Sequence, residues 1–130
     1  MPTIHDAIRA HLDAGGMLPC AAAFRIAAEL GVEPSSVGQA ADEMDVRLNR
    51  CQLGLFGYGP KAEGRHRIVQ PAATVEAGLA QAIHDGLAQG RLPCRVAWEI
   101  AAALNVPKMD VAAAAEALGI RIAHCQLGAF

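Results

Sequence analysis

The sequence of 130 residues is poor in aromatic side chains, which make up 4% of it, and it has no excess of basic residues. Its hydrophobic fraction is 53%, and alanine is the commonest residue in that fraction. We therefore expect a core of closely packed helices with small side chains where they meet. The net charge of −2 gives the whole chain no general electrostatic attraction to nucleic acid.

Long apolar runs are also missing, because no run approaches the roughly 20 residues of a membrane-spanning helix. A charged-then-apolar leader is missing too, so we expect a cytoplasmic protein with no membrane association. Its four cysteines are then predicted to be reduced thiols rather than a disulfide framework. No Ser-His-Asp order, Gly-rich phosphate loop or carboxylate pair marks a catalytic site, so the sequence predicts no enzyme.

The most informative feature that is present is a repeat. Cys-Gln-Leu-Gly stands at Cys51–Gly54 and again, 74 residues later, at Cys125–Gly128. Aligning 18–56 with 92–130 needs no gap, and 18 of the 39 aligned positions are identical. The chain is therefore interpreted as a tandem duplication, whose function must be inferred from one unit and then doubled.

The repeat divides the chain into unit 1 (1–56), a basic connector or wing (57–73) and unit 2 (74–130). A unit of about 55–70 residues buries only roughly 60% of its unfolded surface, which makes it marginal alone. We therefore expect the two units to pack together around a pseudo-two-fold axis. A homodimer is left open.

Each unit is predicted to contain three helices followed by a strand. Threonine is a suitable N-cap for the first helix, and proline suits the first position of the second and third helices. The predicted starts are Thr3, Pro19 and Pro34 in unit 1, and Thr74, Pro93 and Pro107 in unit 2. The period then changes to two at 46–48 and 120–122, which predicts strands. We expect the two strands to pair with each other, and the connector to form a return strand or a linker.

The segment that joins the second and third helices resembles the helix-turn-helix of bacterial regulators. That family has a small residue, a glycine four later and a β-branched residue six after that, which fits Ala27, Gly31 and Val37. The equivalents in unit 2 are Ala101, Asn105 and Val111. Together with the strand, this order is similar to a winged helix. The resemblance implies a mostly α fold of two winged-helix-like units, and it implies binding of DNA or of a protein partner.

A second resemblance concerns the repeated motif. Cys-Gln-Leu-Gly-x-Phe after such a unit resembles small domains that accompany molybdenum-cofactor and formate dehydrogenase proteins. It implies a link to molybdenum or tungsten enzyme metabolism.

Nucleic-acid recognition normally places Arg, Lys, Asn or Gln on the outward face of the third helix. The outward positions predicted here are Ser35, Ser36, Gly38, Gln39, Asp42 and Glu43, and, in unit 2, Lys108, Met109, Asp110, Ala112, Ala113 and Glu116. These faces are nearly neutral to acidic. The candidate contacts to nucleic acid therefore lie mainly on the strand and connector: Arg47, Arg50, Lys61, Arg65, His66 and Arg67, with Gln39 and Lys108 from the helices.

The cysteines form one pair in each unit, Cys20 with Cys51 and Cys94 with Cys125. The strand that leads to Cys51 must pack beside the start of the second helix, so we expect each pair to lie close in space. Two such pairs could supply four ligands to zinc or to an iron–sulfur cluster. The alternative is that the thiols are buried structural residues.

These observations predict a non-enzymatic regulator or adaptor that binds DNA or a protein partner. The alternative is a small metal-binding or metal-sensing protein that uses the four cysteines.

Overall fold

The computed structural model describes residues 3–130, and this part of the chain is mostly helical, as predicted. Its elements are α1 (Ile4–Ala10), β1 (Leu18–Pro19), α2 (Cys20–Leu30), α3 (Pro34–Glu43), β2 (Leu48–Asn49), a 3-10 turn (Lys61–Glu63), α4 (Ala77–Asp85), β3 (Leu92–Pro93), α5 (Cys94–Leu104), α6 (Lys108–Ala117) and β4 (Ile122–Ala123). The order helix, strand, helix, helix, strand thus occurs twice. None of the helices in residues 3–130 combines the length and the apolar character needed to cross a bilayer.

The helix starts agree with the sequence prediction in part. Thr3 caps α1, because its Oγ1 accepts the Asp6 N–H at 3.1 Å while the Asp6 carboxylate accepts the Thr3 N–H at 3.4 Å. Pro34 opens α3, as predicted. The predicted start of α4 at Thr74 is wrong, since the helix begins at Ala77 after an extended N-cap, Glu76. Pro107 is likewise the extended N-cap of α6 rather than its first residue.

The prolines that precede α2 and α5 occupy strands, which the sequence analysis missed. Pro19 and Pro93 have ψ near 143° and 142° and serve as N-caps. Their strands pair in parallel within the same repeat, β1 with β2 and β3 with β4. The expected pairing of the two later strands with each other is therefore wrong. Each later strand has a nearer partner, and a proline is tolerated in a strand with a neighbour on one side.

The turn between the second and third helices agrees with the prediction. Gly31 and Asn105 both take the left-handed conformation, with φ of 66° and 56°. The next residue then donates its N–H back into the helix, from Val32 to the Ala27 carbonyl and from Val106 to the Ala101 carbonyl, at 3.0 Å each. Asparagine replaces glycine here because it tolerates this conformation better than other residues with a side chain.

The chain forms two compact units, and each takes a short segment from the other repeat. As folded, unit 1 differs from the repeat 1–56, because it contains residues 3–52, Phe56–Arg67 and Gln126–Ala129. Unit 2 contains Leu53–Leu55, Ile68–Cys125 and Phe130. In both cases the segment taken from the other repeat carries the Leu-Gly of the repeated motif.

In unit 1, the added segment lies against α3. An alanine Cβ built at Gly38 would lie 1.8 Å from the Leu127 carbonyl oxygen, which is well inside van der Waals contact. Leu127 itself is 3% exposed. Glycine at this position therefore allows the main chain of the segment to approach the helix closely.

In unit 2, the added segment is fixed by main-chain hydrogen bonds. The Gly54 carbonyl accepts the N–H groups of Ile68 and Val69, at 2.9 and 3.2 Å. Gly54 has φ of 76°, and a Cβ there would lie 3.1 Å from Met109 Cε of α6. Leu53 is fully buried. Each unit thus obtains a buried leucine from the other repeat.

Replacing Gly38 with alanine should destabilise the protein by about 1–3 kcal/mol, because the added methyl group collides with the Leu127 carbonyl. The control is Gly78→Ala, since Gly78 is an exposed residue of α4 with open space around its Cβ position. That change should stabilise by about 0.5–1 kcal/mol through helix propensity. Denaturant unfolding of both variants checks the prediction, and an equal gain in both would contradict the Gly38 contact.

Candidate functional site

The outward face of the helix-turn-helix segment differs from the sequence prediction. Gly38 and Ala112, both expected to face solvent, are buried, and Ala112 is completely so. In unit 1 the reason is the segment Gln126–Ala129, which covers Gly38. Helical periodicity alone does not reveal a cover that comes from a distant part of the chain. The face that would enter a DNA groove is therefore partly occupied.

The residues that stay exposed on α3 are neutral or acidic. Gln39, Asp42 and Glu43 are exposed, as are Ser35 and the preceding Glu33. No basic residue lies on this helix. Negative charge on this face repels phosphate at short range.

The one basic candidate on α6 is engaged within its own unit. The Lys108 ammonium lies 4.5 Å from the centroid of the Trp98 ring, and the side chain is half-buried. This cation–π contact stabilises the start of α6 against α5. A lysine held in this way is less available to a phosphate than a fully exposed lysine.

Residues 57–67 of the connector form an irregular loop on unit 1, whereas residues 68–73 belong to unit 2, and residues 57–73 contain no strand. The Gly57 carbonyl accepts the Arg50 N–H at 3.3 Å, and the His66 carbonyl accepts the Tyr58 N–H at 3.3 Å. Glycine is needed at position 57, where φ is 83° and a Cβ would lie 2.5 Å from the Arg50 nitrogen. The loop is therefore held against β2 instead of forming a free linker.

The basic candidates of this loop lie on its surface. Arg47, Arg50, Lys61, Arg65 and Arg67 are exposed, and His66 is half-buried. Arg65 forms an exposed ion pair with Glu63 at 3.1 Å. The Nδ1 atom of His66 is buried and has no hydrogen-bond partner. The basic candidates from the strand and the connector thus all lie in unit 1. The two helix candidates are separated, since Gln39 lies in unit 1 and Lys108 in unit 2.

No disulfide bond joins the four cysteines. Cys20, Cys51 and Cys94 are buried, and Cys125 is half-buried. Among residues 3–130, no group of three or more His, Cys, Asp or Glu side chains is placed to hold a metal ion.

Within unit 1, Cys20 and Cys51 share neighbours. The Gln52 amide lies 3.7 Å from Cys20 Sγ, and the Tyr58 hydroxyl donates a hydrogen bond to the Cys51 carbonyl at 2.5 Å. The motif closes on itself, because the Cys51 N–H donates to the Phe56 carbonyl at 3.2 Å. The second copy repeats this bond from Cys125 to Phe130 at 3.1 Å. Cys51 and Cys125 thus begin closed loops, and each loop contains the buried leucine of its motif, Leu53 or Leu127.

Sequence reasoning missed Tyr58 as part of this cluster. Burial raises the pKa of its hydroxyl above the ordinary value of 10.0, and the thiolates of Cys51 and Cys20 raise it further, while Arg50 opposes them. It is the only tyrosine of the chain and lies between two glycines. That context was a signal for a ring packed close to the backbone.

A separate polar cluster fixes the loop before β1. The Asp13 carboxylate accepts hydrogen bonds from the Met17 N–H at 2.9 Å and from the amide of the buried Asn49 at 2.8 Å. These bonds hold the pKa of Asp13 below its usual value of 3.8. The cluster joins this loop to β2, which is a structural task.

Comparison of the chain with protein-family models, with curated protein sequences and with solved structures gives no match.

The single tyrosine makes the geometry of the cysteine cluster measurable. Absorbance at 295 nm should show Tyr58 ionising above pH 10.0, because burial and the neighbouring thiolates disfavour the phenolate. Cys51→Ala removes one thiolate and should move the midpoint down toward 10.0. Cys94→Ala, in the other unit, is the control and should leave the midpoint unchanged. A midpoint at 10.0 in the unaltered protein would refute the placement of Tyr58.

Proposed function

We propose that this protein is a non-enzymatic regulator or adaptor made of two winged-helix-like units, and that its partner is a protein. The observation that carries the proposal is the cover over α3, where Gly38 is buried beneath the Leu127 main chain. A helix that inserts into the DNA major groove needs that face open. A helix already packed against a turn of the chain is instead suited to peptide or protein contact.

The charges on these helices support the same proposal. Asp42 and Glu43 are exposed on α3, and Lys108 of α6 lies over Trp98. Specific DNA-binding faces are usually strongly basic. The resemblance of the Cys-Gln-Leu-Gly motif to small domains that accompany molybdenum-cofactor proteins suggests where such an adaptor would act. It would act in molybdenum or tungsten enzyme metabolism in the cytoplasm.

A second candidate function is contact with nucleic acid through the connector. The specific observation that favours it is a group of exposed basic side chains on the connector loop and beside it: Arg50, Lys61, Arg65 and Arg67. Basic side chains on a loop contact phosphates, and such contacts do not discriminate between DNA sequences. This surface would therefore give salt-sensitive, sequence-independent binding rather than operator recognition.

A DNA titration tests the second candidate function. The unaltered protein should bind labelled duplexes of any sequence weakly, with affinity that falls steeply with salt. Changing Lys61, Arg65 and Arg67 together to alanine should remove that binding and lower the salt dependence by about one unit per lost phosphate contact.

The matched controls are Gln39→Ala and Lys108→Ala, on the third helix of each repeat, and neither should change the titration. Tight binding to one sequence that either control abolishes would contradict the proposal, because it would show that these helices contact bases.

A further inference from the structure

The two copies of the Leu-Gly segment are covered to different degrees. In the first copy, Leu53 and Gly54 are buried, Leu55 is half-buried, and the Gly54 carbonyl accepts two backbone N–H groups. In the second copy, Leu127 is buried, but Gly128 and Ala129 are exposed. The following Phe130 is 45% exposed. The segment on unit 1 is therefore more open to solvent and to exchange than its counterpart on unit 2.

The surface beneath the open segment is shaped for a peptide main chain. The space beside Gly38 holds the Leu127 carbonyl oxygen, and even a methyl group on the helix would fill that space. The buried Leu127 side chain anchors the segment. Gly128 follows with φ of 83°, a conformation that residues with a side chain rarely adopt. The site thus favours an apolar residue followed by glycine.

We propose that the surface of α3 at Gly38 that Gln126–Ala129 covers, here called the α3 groove, is a docking site for a peptide of a partner protein that presents leucine followed by glycine in a turn. Gln126–Ala129 is the intramolecular occupant that the partner displaces. The inference rests on the proposed function, since it assigns the adaptor's protein partner to one groove and one peptide chemistry. The chain's own segment shows which contacts such a peptide makes.

The groove also selects against other ligands. Asp42 is exposed one helical turn beyond Gly38, and Glu43 follows it, so an acidic peptide is disfavoured there. The internal occupant lowers the apparent affinity for the partner in proportion to the fraction of time that the groove is open. Weakening the occupant should therefore strengthen binding of a peptide added from outside.

The test uses a fluorescent peptide with the sequence of residues 121–130, added to the full chain under reducing conditions. Gly128→Ala strains the internal occupant, since alanine disfavours a positive φ by an amount that corresponds to about a five- to thirty-fold change. A Cβ at this position meets open space, so the variant should fold normally. We expect it to bind the peptide at least about fivefold more tightly than the unaltered protein does.

Two further variants define the groove. Leu127→Ala removes the anchor and should also strengthen peptide binding, whereas adding Gly38→Ala to it should abolish binding by filling the groove. Melting curves identify any variant that fails to fold, in which case Gly128→Ala with and without Gly38→Ala decides. A control peptide with alanine in place of leucine should not bind.

Equal peptide affinity in the unaltered protein and in Gly128→Ala would overturn the proposal, and so would binding that survives Gly38→Ala. A concentration-dependent dimer of the unaltered protein, seen by light scattering and lost in Leu127→Ala, would assign the groove to a second copy of this chain and overturn it as well. Failure of these tests leaves the DNA titration unaffected. Failure of the proposed function would appear there, as sequence-specific binding that depends on Gln39 or Lys108.

Discussion

The close approach of the Leu127 carbonyl to Gly38 is the contact on which the rest of unit 1 depends. The short helix α3 has little apolar surface to bury, and a unit as small as unit 1 is only marginally stable by itself. One buried leucine contributes about 1.5–3 kcal/mol, which is a large share of the net stability of a small domain. Gly38 makes that contribution available because it lets the main chain of the segment reach the helix.

The same contact changes the functional interpretation of the helix-turn-helix segment. The resemblance to bacterial regulators rests on Ala27, Gly31 and Val37, and these residues do what the motif requires, because Ala27 and Val37 are buried and Gly31 ends the helix in a left-handed turn. Those are requirements of packing between two helices. They say nothing of the opposite face, where Gly38 is covered and Asp42 is exposed. The motif can therefore support a contact other than DNA.

Local features of the sequence predicted much of the fold. The Thr3 capping box, Pro34 at the start of α3, and the turns at Gly31 and Asn105 all depend on residues within one helical turn of each other. The two-residue strands at Leu18 and Leu92 were missed because a ladder of two residues has no period to detect. Their partners, Leu48 and Ile122, lie 30 positions later in each case.

The candidate site was less predictable, because its contacts join distant parts of the chain. The sequence around Gly38 does not predict that residue 127 covers it. The two repeats differ at this position, which is Gly38 in the first and Ala112 in the second. Only the structure shows that Gly38 makes room for the Leu127 carbonyl. The raised pKa of Tyr58 similarly depends in part on Cys20, which lies 38 positions earlier in the sequence.

Hydrogen exchange in two reciprocal variants tests the central claim most directly. If each unit is completed by a leucine from the other repeat, Leu127→Ala should speed amide exchange in α3 far more than in α6. Leu53→Ala should do the reverse. Mass spectrometry of peptides that cover Pro34–Glu43 and Lys108–Ala117 reports both helices in one experiment. Faster exchange confined to α6 in Leu127→Ala, and to α3 in Leu53→Ala, would contradict the account.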